Sequence, residues 1–350
     1  MDDRKMKILA AVVDEYIRTG EPVGSKAIMS YINASSATIR NEMAELEKQG
    51  YLEQPHTSAG RVPTYSGYRL YVDRLLETEP LSPEEKDYLS RMLPENEYSE
   101  ERLVKSASAA LARLTSCATF VSSENPRFSV ISKVEVIPTG KRLYVLLMIT
   151  STGKIKNRTC RLELDLTNEQ LEYFTRFVKE NLEGVPLDDM SDEMMEKLQT
   201  ALGTYLIVMS PLVHGLIDMT REITKRDIDI SGTKNLIDCK EIDRHELMTF
   251  FDNNESLMRL MDDSFSGLHV MFAEEHDKFL IGNTSLVSSD FSKDGHIAGH
   301  LGVIGPMRID YKKVIPYVEF FTERITEILS SEGLDEDEIQ DCGVQNDQYD

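Results

Sequence analysis

Three things are scarce in this 350-residue chain. No apolar run approaches the ~18 residues that mark a membrane-spanning helix, so the expectation is a soluble protein. Residues 1–20 mix Asp2, Asp3, Arg4 and Lys5 with apolar residues at helical spacing. That pattern is not a secretory leader, and it points to the cytoplasm. Cysteine is rare and scattered: Cys117, Cys160, Cys239 and Cys342 make no CxxC pair and no disulfide framework. This usage fits a reducing compartment. Positive charge is short as well, with 39 Lys and Arg against 61 Asp and Glu for a net charge of −22.

The deficit is unevenly spread. Residues 1–75 hold ten basic and ten acidic side chains, so residues 76–350 carry the whole excess. An acidic body repels a polyanion. A nucleic-acid role for the neutral first segment therefore has to rest on a few placed cations and on a dimer reading two half-sites. The chain is long enough for two or three domains with a sizeable core.

What is present centres on residues 35–69. Ile39, Met43 and Leu46 recur at i, i+4, i+7, which predicts a helix over Ser35–Gln49 with one apolar stripe. Ala37, Asn41, Ala44 and Lys48 fall on the opposite side, flanked by Thr38 and Arg40. Ser35 and Ser36 suit the N-cap. Asn can bond adenine in bidentate fashion and Arg guanine, so such a face suits the DNA major groove; an ordinary solvated helix face has the same periodicity. Gly50 stops the helix. Tyr51–Gln54 and Arg61–Val62 then read as short strands around the turn Pro55–Gly60, and Pro63-Thr64 opens another helix. A helix followed at once by a small hairpin is the winged-helix plan, with Arg61 aimed at phosphates or the minor groove.

The flanks agree. Ile8, Leu9, Val12, Val13, Tyr16 and Ile17 predict a first helix over residues 4–19. Gly20-Glu21-Pro22 breaks it. A second helix is expected from Ser25, with Ala27, Ile28, Tyr31 and Ile32 facing inward. Asn33-Ala34 makes the turn into the recognition helix. After the wing, Tyr68, Tyr71, Val72, Leu75 and Leu76 form a further stripe, with Arg69 and Arg74 outside it.

Glu21-Pro22-Val23-Gly24-Ser25, Ser36 through Met43, Gly50-Tyr51-Leu52, the wing His56 through Thr64, and Gly67-Tyr68-Arg69 resemble the HrcA family of bacterial heat-inducible repressors. Gly302 through Tyr311, with Val314-Ile315, resembles that family near the other end. The motifs between are weaker. Family members often carry an acidic-basic pair where this chain has Tyr65-Ser66, so the resemblance supplies no DNA-backbone contact there. It implies an α+β protein: a winged-helix domain over residues 1–76, a linker over 77–100, and a GAF-like α+β domain over 101–331. It also implies a dimerising insertion, placed near 165–262. The implied protein is a cytoplasmic homodimer that binds an inverted-repeat operator called CIRCE, upstream of groE- and dnaK-type chaperone operons. It would leave the operator on heat stress and return with help from a GroEL-type chaperonin. The residues expected at DNA are Arg40, Asn41 and Thr38 at bases, and Ser35, Ser36, His56, Ser58, Arg61 and Arg69 at the backbone or in the wing. No cofactor is expected. An alternative is a small-molecule sensor with a ligand in the GAF-like domain.

Between the ends, a helix is expected over Leu103–Val121 and a short one from Ser82 to Leu93. Three strands over 128–164, joined by Gly-containing connections, predict hairpins. Helices follow at 167–183, 191–226 and 243–262, with a strand inside Asp227–Ile237. Strands are expected at Leu268–Phe272, Ser285–Ser289 and His300–Ile304, then a helix over 311–330. Strands at both ends of this region are expected to complete one sheet. From Glu332 the tail has eight acids and no Lys or Arg, which predicts a solvated, mostly disordered segment. His296 and His300 sit four apart as metal ligands sometimes do, but Gly295 and Gly299 favour a loop or strand and no Cys pair supports a site. No metal, phosphate loop or Ser/His/Asp constellation is expected, and with none an enzyme is disfavoured.

Overall fold

The apolar spacing of the first twenty residues forms α1 (Asp3–Thr19) in the computed structural model. The structure describes residues 2–56, 59–94, 100–123, 129–151, 153–190, 194, 196, 200, 206–224, 227–239, 241–252, 267–273 and 282–341. Asp2 caps α1 by accepting the Lys5 N–H at 2.9 Å, and Gly20 ends it in the left-handed conformation at φ 70°. The expected second helix from Ser25 is a run of turns instead. Ile28 and Ile32 are buried as expected, but Ala27 is exposed and Tyr31 is 68% exposed. Gly24 O accepts the Ala27 N–H and Ile28 O the Tyr31 N–H, both single-turn bonds. Some eight residues offer too few i→i−4 bonds to offset helix nucleation, so two buried isoleucines fix the path instead.

Helix α2 (Ser36–Lys48) buries Ile39, Met43 and Leu46. The wing is two short strands, β1 (Leu52–Glu53) and β2 (Val62–Pro63), paired antiparallel. Arg61 does not extend β2; it bridges Val23 across two backbone hydrogen bonds of 2.8 and 2.9 Å. Helix α3 (Tyr65–Leu70) follows, widening to a π-helical turn over Tyr71–Leu75. The proline-marked stretch expected as a linker carries α4 (Pro83–Ser90), opened by a Ser82–Glu85 capping box. It is anchored: Leu89 and Leu93 are buried in the same core as α1.

Helix α5 (Glu100–Thr115) is shorter than expected, and Ala118–Ser123 is a strand, β3. Ser116 turns left-handed at φ 54° and ends the helix. Thr119, Phe120 and Val121 are β-branched or aromatic, and a short apolar run buried on both faces has no period to separate strand from helix. Strand β3 joins a five-stranded sheet whose later members lie beyond residue 226.

The chain divides into two compact units, Met1–Ser122 with Ile228–Asp350, and Ser123–Asp227. The expected insertion near 165–262 differs from this division at both ends. Strands β4 (Ile131–Gly140), β5 (Leu143–Thr150) and β6 (Ile155–Arg161) belong to the second unit, as a separate antiparallel sheet in the order β4-β5-β6. Hairpin signals show that strands pair with their neighbours; they do not show which sheet the hairpin joins. Helices α6 (Asn168–Leu182) and α7 (Leu206–Thr224) cover one face of this sheet. Val134, Leu146, Met148, Phe174, Val178, Leu212 and Leu216 are buried between them. Most of 191–205, the start of an expected helix, lies outside the described residues.

In the first unit the sheet runs β7 (Asp227–Ser231), β3, β10 (His296–Pro306), β9 (Thr284–Lys293), β8 (His269–Phe272). β8, β9 and β10 pair antiparallel. Helices α8 (Thr233–Ile237) and α9 (Arg244–Asp252) follow β7, and the rest of the helix expected to 262 lies outside the described residues. Both faces of the sheet are apolar. Phe291, Leu301 and Val303 share a cluster with α5 and the last helix, α10 (Tyr311–Asp341), while Leu286, Ile304 and Phe120 share another with Leu236 and Leu247. A strand covered on both sides is buried continuously rather than at alternate residues, as β10 is from Ala298 to Gly305. The first cluster extends without a break into α1, α2 and α3. Helix α10 continues to Asp341, through the first ten residues of the tail expected to be disordered; residues 342–350 lie outside the described residues. His296 and His300 are on a strand, where four residues span roughly 13 Å, so they cannot share a metal as a helix pair would.

Candidate nucleic-acid interface

The N-terminus of α2 is built from hydroxyls. Ser35 Oγ accepts the Thr38 N–H at 3.2 Å and shares a 2.9 Å hydrogen bond with Thr38 Oγ1. Ser36 Oγ shares a 2.8 Å bond with Ser25 Oγ, and Ser25 is buried. The cap fixes the first turn and aims its free N–H groups outward, a ready anion site for a phosphate. Behind this turn, Ala37, Arg40, Asn41 and Lys48 are exposed along one face of α2. Arg40 and Asn41 make no side-chain hydrogen bond or ion pair among the described residues, so their donors remain for an external partner. Lys48 pairs loosely with Glu45 at 3.8 Å.

The wing is held to α2. Arg61 donates from Nε to Glu47 Oε2 at 3.0 Å and from Nη2 at 2.8 Å, and its side chain is only 19% exposed. Thr64 Oγ1 donates to Gly50 O at 2.6 Å, and the Thr64 N–H to Tyr51 O at 3.1 Å. Gly67 is required here, since a Cβ on it would lie 2.2 Å from the Tyr51 carbonyl oxygen. His56 is exposed at the turn. Ser58 lies outside the described residues.

Arg69 is placed elsewhere. Its Nη1 donates to Val270 O on β8 at 2.8 Å, its Nη2 pairs with Asp73 at 3.1 Å, and its guanidinium stands 5.7 Å from the Phe272 ring centre. It joins an aromatic seam between α3 and the sheet: Tyr65 meets Phe272 edge-on at 5.6 Å, and Phe272 meets Tyr311 at 6.2 Å. Nearby, Tyr71 donates to Asp14 at 2.5 Å, and Lys312 pairs with Asp14 at 2.8 Å. Thus Ser35, Ser36, Thr38, Arg40 and Asn41 come together on α2, Arg61 backs them through Glu47, and Arg69 is engaged with the sheet. The sequence reading missed Glu47 as the partner of Arg61, although both sit in the chain's most informative stretch; nothing in the spacing marks a pair fourteen apart across a turn. It also missed the exposure of Tyr31.

Helix, turn, capped recognition helix and two-stranded wing define a winged-helix DNA-binding head. Residues 2–74 match the family model "Winged helix-turn-helix transcription repressor, HrcA DNA-binding", and residues 101–315 match "HrcA protein C terminal domain". The heat-inducible transcription repressor HrcA of Clostridium acetobutylicum is 34% identical over 332 residues, 93% of this chain and 96% of the relative. Its counterpart in Acetivibrio thermocellus is 30% identical over 336 residues, with the same coverage of 93% and 96%. A crystal structure described as that of a hypothetical protein shares the fold, with a TM-score of 0.64 at 23% identity over 95% of this chain and 99% of that one. The chain belongs to the HrcA family of heat-inducible transcription repressors. It is a repressor with an α+β fold, not an enzyme. Among the described residues, no helix is long and apolar enough to cross a membrane.

Proposed function

We propose that this chain acts in the cytoplasm as a homodimer that represses groE- and dnaK-type chaperone operons through an inverted-repeat CIRCE operator. The carrying observation is the outer face of α2, where Arg40 and Asn41 stand exposed and unengaged behind a hydroxyl-capped first turn. In this reading Arg40, Asn41 and Thr38 read bases, the α2 N-terminus with Ser35 and Ser36 meets a phosphate, and His56, Ser58 and Arg61 supply the remaining contacts to the duplex. Dimerisation belongs to the second unit. Strand β5 alternates buried with half-buried residues, and its half-buried row is Leu143, Val145, Leu147 and Ile149. An aliphatic row on the sheet face that α6 and α7 leave uncovered suits a second copy of the same unit. The rest of the chain is the GAF-like body. Heat releases the dimer from the operator, and a GroEL-type chaperonin restores the binding-competent form.

The test is a gel-shift titration on a chaperone-promoter inverted repeat against a scrambled duplex, at two temperatures, with Asn41→Ala beside the parent chain. Loss of a bidentate base contact costs about 1–3 kcal/mol, so operator affinity falls about five- to 150-fold while scrambled-duplex affinity holds. Equal loss on both duplexes removes Asn41 from base reading. No selectivity in the parent chain, even with chaperonin added, overturns the operator assignment.

A further inference from the structure

Glu47 is a carboxylate in a doubly unfavourable place. It lies in the last turn of α2, at the negative end of the helix dipole, and on the helix read as entering the groove between phosphates. Its side chain has one partner among the described residues, Arg61 of the wing. Arg61 Nε and Nη2 converge on Glu47 Oε2 at 3.0 and 2.8 Å. A guanidinium is planar and rigid, so holding it by that edge turns its third nitrogen, Nη1, away from the carboxylate. Nη1 has no hydrogen-bond partner among the described residues and is not one of the buried unpaired atoms, so its donors remain accessible. The main chain is fixed as well. Arg61 and Val23 exchange two backbone hydrogen bonds of 2.8 and 2.9 Å, and a Cβ on the preceding Gly60 would lie 2.4 Å from the Val23 carbonyl oxygen. An unattached arginine loses its rotamer freedom on meeting a ligand; this one has lost it on folding.

We propose that Glu47 is a positioning residue for DNA binding: it holds the Arg61 guanidinium by one edge so that Nη1 meets a backbone phosphate with its side chain already ordered. This rests on the duplex contact assigned to Arg61 above. Glu47 itself touches no DNA. The pair is neutral overall, so its contribution to affinity comes from order in place before the duplex arrives rather than from added positive charge. That suits a head with as many acids as bases, which has little unspecific attraction to draw on.

Equilibrium binding of the full chain to a labelled duplex over a salt series, well below each variant's melting temperature, tests this as a cycle. Glu47→Ala is compared with Glu53→Ala, each in the parent chain and in Arg61→Ala. Glu53 is an exposed acid on β1 with no side-chain hydrogen bond or ion pair among the described residues, so its removal reports the loss of one negative charge alone. Relative to Glu53→Ala, Glu47→Ala is expected to weaken binding about two- to twelvefold, the effect of ordering one long side chain. Glu47→Gln, which keeps an acceptor oxygen without the charge, falls between them. In the Arg61→Ala chain the difference disappears. Arg61→Ala lowers the slope of log affinity against log salt by about one, and Glu47→Ala keeps the parent slope. Without DNA, NMR relaxation at the arginine Nε is expected to show Arg61 rigid in the parent chain and as mobile as the exposed Arg40 in Glu47→Ala. A phosphate contact carries no sequence information, so the cycle reads out on operator and scrambled duplex alike, and a wrong operator leaves it standing. Glu47→Ala binding as tightly as Glu53→Ala overturns the proposal. So do a Glu47 effect that survives Arg61→Ala, an unchanged salt slope in Arg61→Ala, or an Arg61 side chain already mobile in the parent.

Discussion

Arg69 distinguishes two accounts of the head, and Arg69→Ala separates them. A DNA-facing Arg69 is expected from its place outside the apolar stripe of α3. The structure instead gives its guanidinium a backbone carbonyl at 2.8 Å, a carboxylate at 3.1 Å and an aromatic face at 5.7 Å. A charged donor on a carbonyl contributes about 1.5–3 kcal/mol. The ring adds about 0.5–1, and a helical i,i+4 pair about 0.3–0.5. The side chain is 35% exposed, so solvent screening holds the sum near the lower end, about 2–3 kcal/mol. For a unit of this size the melting temperature of Arg69→Ala then falls by roughly 4–12 °C. The decisive assay is operator affinity against salt, measured well below that melting temperature. A phosphate contact contributes about one to the slope of log affinity against log salt. The structural placement predicts an unchanged slope with lowered stability. A slope reduced by about one with unchanged stability would refute it and return Arg69 to the DNA.

Two further outcomes follow from single positions. Gly67→Ala pushes a methyl into the Tyr51 carbonyl and is expected to cost about 1–3 kcal/mol in urea unfolding, whereas Gly24→Ala, with open space at its Cβ, changes stability by less than about 0.5. Burial raises the Cys117 thiol from 9.0 to about 11, so between those pH values the unfolded chain loses a proton that the folded chain keeps; stability is fully present below pH 9.0 and falls by about 2–3 kcal/mol by pH 11, read by denaturant melts across that window and absent in Cys117→Ala.

How much of this was legible follows from the range of the interactions. Helix α2, its Ser35 cap, its apolar stripe and the wing were readable because each is a local device acting over one or two turns. The same local logic failed at 25–32, where helical spacing is present but the bonds are single turns, and at Ala118–Ser123, where burial on both faces removed the alternation. It could not assign the hairpins of 131–161 to a second sheet, since nothing within a hairpin records its neighbours. The site divided along the same line. The exposure of Arg40 and Asn41 was readable because exposure on a helix face follows from period. Glu47 with Arg61, and Arg69 with Val270 O, join residues 14 and 201 apart, and only the folded chain brings them together.

The temperature-sensitive step has two places to occur. The head is joined to its sheet by one continuous core, in which Tyr68, Tyr71, Phe272, Tyr311 and Phe321 are nearly inaccessible. Undocking the head would expose these rings together, so on warming it should melt with its unit rather than loosen first. The second unit has a core of its own, with Leu146, Met148, Phe174 and Leu212 fully buried and no part of it drawn from the head. It can therefore open separately, and if it holds the dimer, its opening parts the two recognition helices while each head stays folded. Hydrogen exchange followed by mass spectrometry over a temperature series should then show protection lost in β4–β6 and α6 first. Operator affinity should fall over that same interval, with α1 and α2 still protected. Operator release while β4–β6 remain protected, or loss of protection in α2 at the same temperature, would place the thermal step in the head and contradict the separation of the two cores.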